Sequence, residues 1–399
     1  MKKKWSIVLL CVLLAIIITL SPSMLRQGIS QDLFSLEQQE KAQQYRGILT
    51  MWHVVTFKTG GEMGSSFLNA AISKFENQHA YVFIELESIT ASEAATRIQK
   101  GEFPDIISYP LGYFPDEKLF DPISVDTSTL MPCYASCGNA HGETFALPYM
   151  SSFYTLVCNE NIFLSNSVDT PQNIGISQNH FVYNLKNLQP LPEEDQTENP
   201  YYALTVEGTQ QAMGAISLIF PYFISDDTSL FVSQEDYDYQ LSDLPQLTTM
   251  VADGTFAKGN CAMSIMPYGQ YKQILDSEKS AAASPIACIF TPYSDLVQMV
   301  SIAKTEDAKK RDMLNEWINY LISPTVQQTL EKNNMLPVIP LEEIYANDAM
   351  IFEQYTLTSM YGMVPNSFRY YHFLAQHIQT LQQVFDGNLS KEALMEQLS

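Results

Sequence analysis

The sequence predicts an α/β protein built as two lobes. A chain of 399 residues is too long for one ordinary core and suits about two domains. Its composition, 46% hydrophobic and 12% aromatic, belongs to folded globular chains and argues against disorder. Residues 47–110 then alternate strand, helix, strand, helix, strand at lengths that imply right-handed crossovers and a mainly parallel sheet.

"GILTMWHVV" is a β-rich apolar run, and the polar "TFKTGGEMG" after it reads as a loop. "SSFLNAAISKFENQ" places Phe67, Leu68, Ala71, Ile72 and Phe75 on one helical face, with Ser65 or Ser66 available as a cap. "AYVFIELES" is a second strand, "SEAATRIQKGEF" a short helix ended by Gly101, and "PDIISYP" a third strand. In such sheets the ligand side is the carboxyl edge, here Trp52–Gly64 and Ser108–Phe114. The extended run from Phe145 to Cys158 is long enough to leave one sheet and enter another. Residues 165–200 read as an irregular or hairpin insertion, and "TQQAMGAISLIFPYF" as a buried helix. "FAKGNCAMSIMPYGQY" begins as a buried strand, and Pro267, Tyr268, Gly269 and Tyr271 then break it into an aromatic exit. "AKKRDMLNEWINYLIS" is a helix whose buried face holds Met313, Leu314, Trp317, Ile318 and Leu321. Ser323-Pro324 starts another, and a Ser390-capped amphipathic helix closes the chain.

The formal net charge is −22, and the first 26 residues carry four basic groups and no acid, which leaves −26 for the remainder. A field of that sign repels phosphate, so nucleic acid and anionic lipid headgroups are poor partners, whereas neutral and cationic ligands remain open. The basic cap and the apolar run Trp5–Leu20 make residues 1–26 a signal or membrane anchor, with an uncleaved anchor favoured and 27–46 as a stalk. The body is therefore expected at the extracellular face of the cell membrane. Five cysteines lie outside the apolar run, and Cys158, Cys261 and Cys288 have the apolar surroundings of buried thiols. Cys133 and Cys137 with His141 lack the fourth ligand of a zinc site, so disulfide or plain thiols are favoured there.

Several stretches, in order along the chain, resemble the extracellular (family 1) solute-binding proteins of ABC importers, the branch containing maltose-binding protein. They are "ILTMWH" with "FLNAAISKFENQHAYVFIEL", "IQKGEFPDIISY", "ETFALPYMSSFYTLVCNENIF", "FAKGNCAMSI", "EWINYLISPTVQQTLEKNNMLPV" and "GNLSKEALMEQL". The resemblance implies a type II periplasmic-binding-protein-like fold, with one lobe from 47–151 plus 291–323 and the other from 152–290 plus 324–399. It also implies hinge closure around a small solute, a carbohydrate by analogy, and delivery to ABC permease subunits, with no cofactor. Where the family commonly runs from its Ala-Met strand to a Gly and a stacking Trp, this chain has Pro267 and Gly269.

Sugars call for flat apolar faces beside hydrogen-bonding side chains. Trp52, Tyr109, Tyr149, Tyr268 and Tyr271 fall at strand ends or in the crossover, with Glu62 and Gln270 as polar candidates. Trp52 and Tyr109 fit core packing equally well, since strand-end aromatics are often structural. Asp105 fits a turn-fixing role, and His53 a hydrogen-bonded strand end. The glycine loop at 60–64 lacks a P-loop lysine. An exported glycosidase would need a carboxylate pair at a defined spacing, which no motif supplies, and a tethered sensor of solute is the other alternative.

Overall fold

The computed structural model describes residues 45–55, 65–170, 187–188, 202–206, 256–277, 284–289 and 292–385. The anchor and most of the stalk, Glu62 with its glycine loop, the insertion between 171 and 200, the helix expected near 209–223 and the final helix lie outside the described residues or nearly so. Among the described residues, no helix is long and apolar enough to cross a membrane.

The chain opens with β1 (Gly47–Val55), α1 (Ser65–Gln78), β2 (Val82–Thr90), α2 (Ala91–Gln99) and β3 (Ile106–Pro110). β1 pairs in parallel with β2, Met51 opposite Leu86, and with β3, Met51 opposite Ile106. The apolar stripe of α1 is buried as its spacing requires, and Phe75 meets Trp317 edge-on at 5.1 Å. Thr90 caps α2 by accepting from the Glu93 amide, and Gly101 takes the left-handed turn after it at φ +81°. Asp105 fixes the entry to β3 in a reciprocal pair: its carboxylate accepts from the Thr50 amide at 3.0 Å, and its own amide donates to the Thr50 hydroxyl at 3.0 Å.

Short strands β4 (Phe120–Asp121), β5 (Asn139–Ala140) and β6 (Glu143–Thr144) lead to β7 (Leu147–Ser151) and β8 (Tyr154–Asn159). After α3 (Glu160–Ser165) come β9 (Tyr202–Val206), β10 (Cys261–Pro267), α4 (Tyr268–Leu275), β11 (Pro285–Ile289) and β12 (Val297–Ala303). Helices α5 (Ala308–Leu321), α6 (Pro324–Gln327), α7 (Ala349–Tyr361) and α8 (Ser367–Phe385) complete the described chain. One sheet has the order β2-β1-β3-β12-β4 with β7 also on β12, and the other β11-β8-β10-β9.

The run from Phe145 to Cys158 is divided between the sheets, β7 in the first and β8 in the second, with Ser152 and Phe153 between them. Both sheets are mixed rather than mainly parallel. β12 runs antiparallel to β3, β4 and β7, and β8 antiparallel to β10 and β11, while β10 and β9 are parallel. The reason is directional. β1, β3 and β7 run toward one edge of the first sheet, the chain leaves there, and β12 re-enters from the same edge and must run away from it.

Two further expectations change. Residues 268–271 are not an irregular exit but the first turn of α4, with Pro267 at the N-cap, where φ −56° and ψ 141° suit a ring that fixes φ. Residues 324–338, expected with the second lobe, bond to the first instead. The buried Gln327 amide donates to the Tyr149 carbonyl at 2.7 Å, and Leu336 exchanges backbone bonds with Ser151 at 3.0 and 2.8 Å.

Candidate functional site at the sheet junction

Because every crossing uses one edge, the ends of the two sheets converge. The Ser152 amide donates to Leu296 O at 2.7 Å, the Ser294 hydroxyl to Ser152 O at 2.7 Å, and the Leu111 amide to Val297 O at 2.9 Å. The Tyr268 amide donates to Phe153 O at 3.0 Å, which brings the start of α4 to the same place. The carboxyl ends of β1, β3, β7 and β10 thus meet beside both interlobe passages. In α/β folds this is the edge at which ligands are held.

On the first-lobe side the junction is lined by a buried polar chain. The Ser108 hydroxyl lies 2.9 Å from His53 Nδ1 and 2.8 Å from the Tyr149 hydroxyl. Gln298 donates to the same Ser108 oxygen at 2.9 Å and to Val54 O at 3.1 Å. All four side chains are buried, so each polar group depends on the others. Burial pushes the Tyr149 hydroxyl well above the usual tyrosine range and keeps it neutral.

On the second-lobe side Tyr268 stacks on Phe153 with centroids 4.8 Å apart, and its hydroxyl donates to Asp348 at 2.8 Å. Asp348 also caps α7 through the Met350 and Ile351 amides and pairs with Lys272 at 3.6 Å. Burial, with the Asp348 charge beside it, raises the Tyr268 hydroxyl far above its ordinary pKa. The side chains of Gln270 and Tyr271 are part-exposed on the first turn of α4, with the Tyr271 ring 5.9 Å from that of Tyr268.

Trp52 and Tyr109 sit away from the junction, and Tyr149 gives its hydroxyl to the polar chain above while its ring packs in the core. Trp52 is 4% exposed beneath α2, with the Arg97 guanidinium 4.2 Å from its ring centre and Arg97 held by Glu87 and Glu102. Tyr109 is fully buried among Phe114, Phe120 and Tyr113, its hydroxyl 2.7 Å from Ser301. Tyr149 is fully buried and stacks on Phe67 at 6.1 Å. These three rings are enclosed by protein and present no open face, because strand-end position sets depth in the sheet and not direction toward the cleft. Sequence reasoning missed Phe153, Gln298 and Asp348, and took Ser108 only as the start of an edge segment. Gln298, a lone amide inside the apolar "VQMVSIA", was the most legible of them. No disulfide joins Cys133, Cys137, Cys158, Cys261 and Cys288 to one another, and the last four are buried.

Two mixed sheets flanked by helices and joined by passages at a shared edge are the two-lobed α/β fold of the type II periplasmic binding proteins. Similar solved structures are oligosaccharide-binding proteins. The cyclic α-maltosyl-1,6-maltose binding protein from Arthrobacter globiformis is 15% identical, covering 89% of this chain and 97% of its own, with a TM-score of 0.65. The GacH receptor of Streptomyces glaucescens, solved unliganded and with acarbose, is also 15% identical over 89% and 97%, with a TM-score of 0.61. The maltose/maltodextrin-binding domain MalE from Bdellovibrio bacteriovorus, bound to maltotriose, is 15% identical over 88% and 97%, with a TM-score of 0.58. At such identities the likeness is one of fold. The sequence matches no protein-family model and no curated protein.

Proposed function

We propose that this chain is an extracellular solute-binding protein that captures a neutral carbohydrate between its lobes and delivers it to an ABC importer. The observation that carries the proposal is the likeness, over nearly the whole chain, to binding proteins whose ligands are acarbose, a cyclic maltosyl-maltose and maltotriose. The strongly acidic body supports it by disfavouring anionic ligands. The lobes divide at Ser152–Phe153 and at residues 292–296. Closure there expels water and adds contacts from both sides.

Within the candidate set, Tyr271 and Gln270 keep open surface beside the junction and are assigned the ligand contacts, with Glu62, which lies outside the described residues, kept from the sequence reading. Tyr268 backs Tyr271. Trp52, Tyr109 and Tyr149 hold the scaffold. The function is binding rather than catalysis, and the apolar run Trp5–Leu20 tethers the chain at the outer face of the membrane beside its permease.

A thermal-shift screen of the chain against maltose, maltotriose, acarbose, chitin oligosaccharides, mannobiose, polyamines, peptides and phosphate esters tests this. A saccharide at about 100 times its Kd stabilises the fold by about 2.7 kcal/mol, a readily measured rise in Tm. A response to a polyamine or peptide with none to any saccharide rejects the carbohydrate assignment. Turnover of a chromogenic glycoside rejects the binding-only reading.

A further inference from the structure

Asp295 is 3% exposed, and among the described residues no cation pairs with it. Its two oxygens are met by tyrosine hydroxyls from different parts of the molecule. Tyr154, the first residue of β8 in the second sheet, donates to Oδ1 at 2.6 Å. Tyr370, in the second turn of α8, donates to Oδ2. Tyr293 donates to the Tyr370 hydroxyl at 3.2 Å.

The α8 end of this knot belongs to the first lobe. The Gly112 amide, just past β3, donates to Ser367 Oγ at 3.0 Å, and the Tyr370 ring lies over Gly112 so closely that a Cβ there would come within 2.7 Å of it. Gly112 sits at φ +76°, so its bare Cα serves both the turn and the seat of the ring. Residues 292–294 are also laced to Met363 ahead of α8, at 3.0 and 3.1 Å. The Tyr154 arm carries the knot into the second sheet.

A buried carboxylate is costly, and well-packed apolar side chains fill such a space at less cost. What a carboxylate adds is short, directional, charge-assisted bonds to two donors at once. We infer that Asp295 is the positioning residue of the hinge: by binding Tyr154 on one oxygen and Tyr370 on the other, it fixes the angle at which the empty lobes rest. The inference rests on the two-lobed capture proposed above and adds a residue that sets the population of open and closed forms.

The test measures the lobe angle without ligand. Spin labels at Lys74→Cys on α1 and Lys258→Cys before β10, both exposed sites, report the interlobe distance by pulsed EPR in the full chain in detergent. The native residues give a narrow distribution, and Asp295→Asn shifts it or broadens it about twofold by freeing the hinge. Ser301→Ala is the control. It removes a buried hydroxyl bond to Tyr109 that lies wholly within the first sheet, so it lowers Tm and leaves the distance unchanged. If Asp295→Asn lowers Tm but its distribution overlays the native one, Asp295 is structural only and the inference fails. Tyr154→Phe cuts only the arm into the second sheet and serves if the Asn variant does not fold. It shifts or broadens the distribution if the inference holds, and an overlay there overturns it. Because no sugar enters the measurement, a negative saccharide screen leaves it standing, and an EPR overlay leaves capture standing.

Discussion

The two sides of the junction are built on different terms. On the first-lobe side His53, Ser108, Tyr149 and Gln298 are closed on one another and sealed from water. On the second-lobe side Tyr268 is sealed at its ring, but the turn that carries it leaves Gln270, Tyr271 and Lys272 part-exposed beside Asp348. A satisfied buried network has no bonding capacity left for a ligand and gives rigidity. A half-open rim retains faces and donors to spend on one. In the site proposed above, the first lobe is thus the fixed wall and the second supplies the adjustable lip.

That contrast can be broken at its strongest point. Ser108→Ala removes the oxygen shared by His53, Tyr149 and Gln298 and leaves up to three buried groups short of a partner. Orphaned groups cost about 1–3 kcal/mol each, so a loss of about 3 kcal/mol is expected in denaturant unfolding. A loss below about 1 kcal/mol would mean that the network is not the wall described.

Tyr268→Phe is milder, about 1–2 kcal/mol, since Asp348 keeps its two backbone donors and Lys272. A cost matching that of Ser108→Ala would erase the difference between the two sides. Tyr271→Ala separates stability from binding. It should change Tm little and weaken the best saccharide about tenfold, equivalent to about 1.4 kcal/mol, as read by calorimetry. Unchanged affinity would move the ligand face off α4.

The smallest effect is a pH dependence. Burial raises the Asp295 carboxyl above its ordinary range, more than its hydroxyl donors lower it. The folded state therefore holds this proton more tightly than the unfolded one. Its contribution to stability is greatest below the unfolded value and declines as pH rises through the folded one. The groups facing it, Tyr154, Tyr293 and Tyr370, are pushed upward by burial and stay neutral across that range. The native-minus-Asp295→Asn difference in Tm should fall from about pH 3 upward and then level off. A flat difference contradicts the assignment.

The first strands and helices were legible because local rules act alone there. The stripe of α1, the cap of α2 and the buried face of α5 follow from residues three or four apart. The junction was less so, because its bonds join distant residues: Tyr109 to Ser301 across 192 positions, and Ser108 to Gln298 across 190. Nothing near Tyr109 in the sequence tells a cleft-facing ring from a core one. Pro267 and Gly269 misled for a different reason. Both read as breakers, yet a proline that ends a strand also starts a helix.

The placement of β12 has a consequence in time. β3 can pair with β1 early, but its second neighbour, β12, arrives only with residues 297–303, after the whole of the second sheet has been synthesised. Until then one edge of β3 and the strand β7 lack their ladder partner, and closing so long a loop is slow. The first sheet is thus completed late, and an open strand edge is left exposed until then.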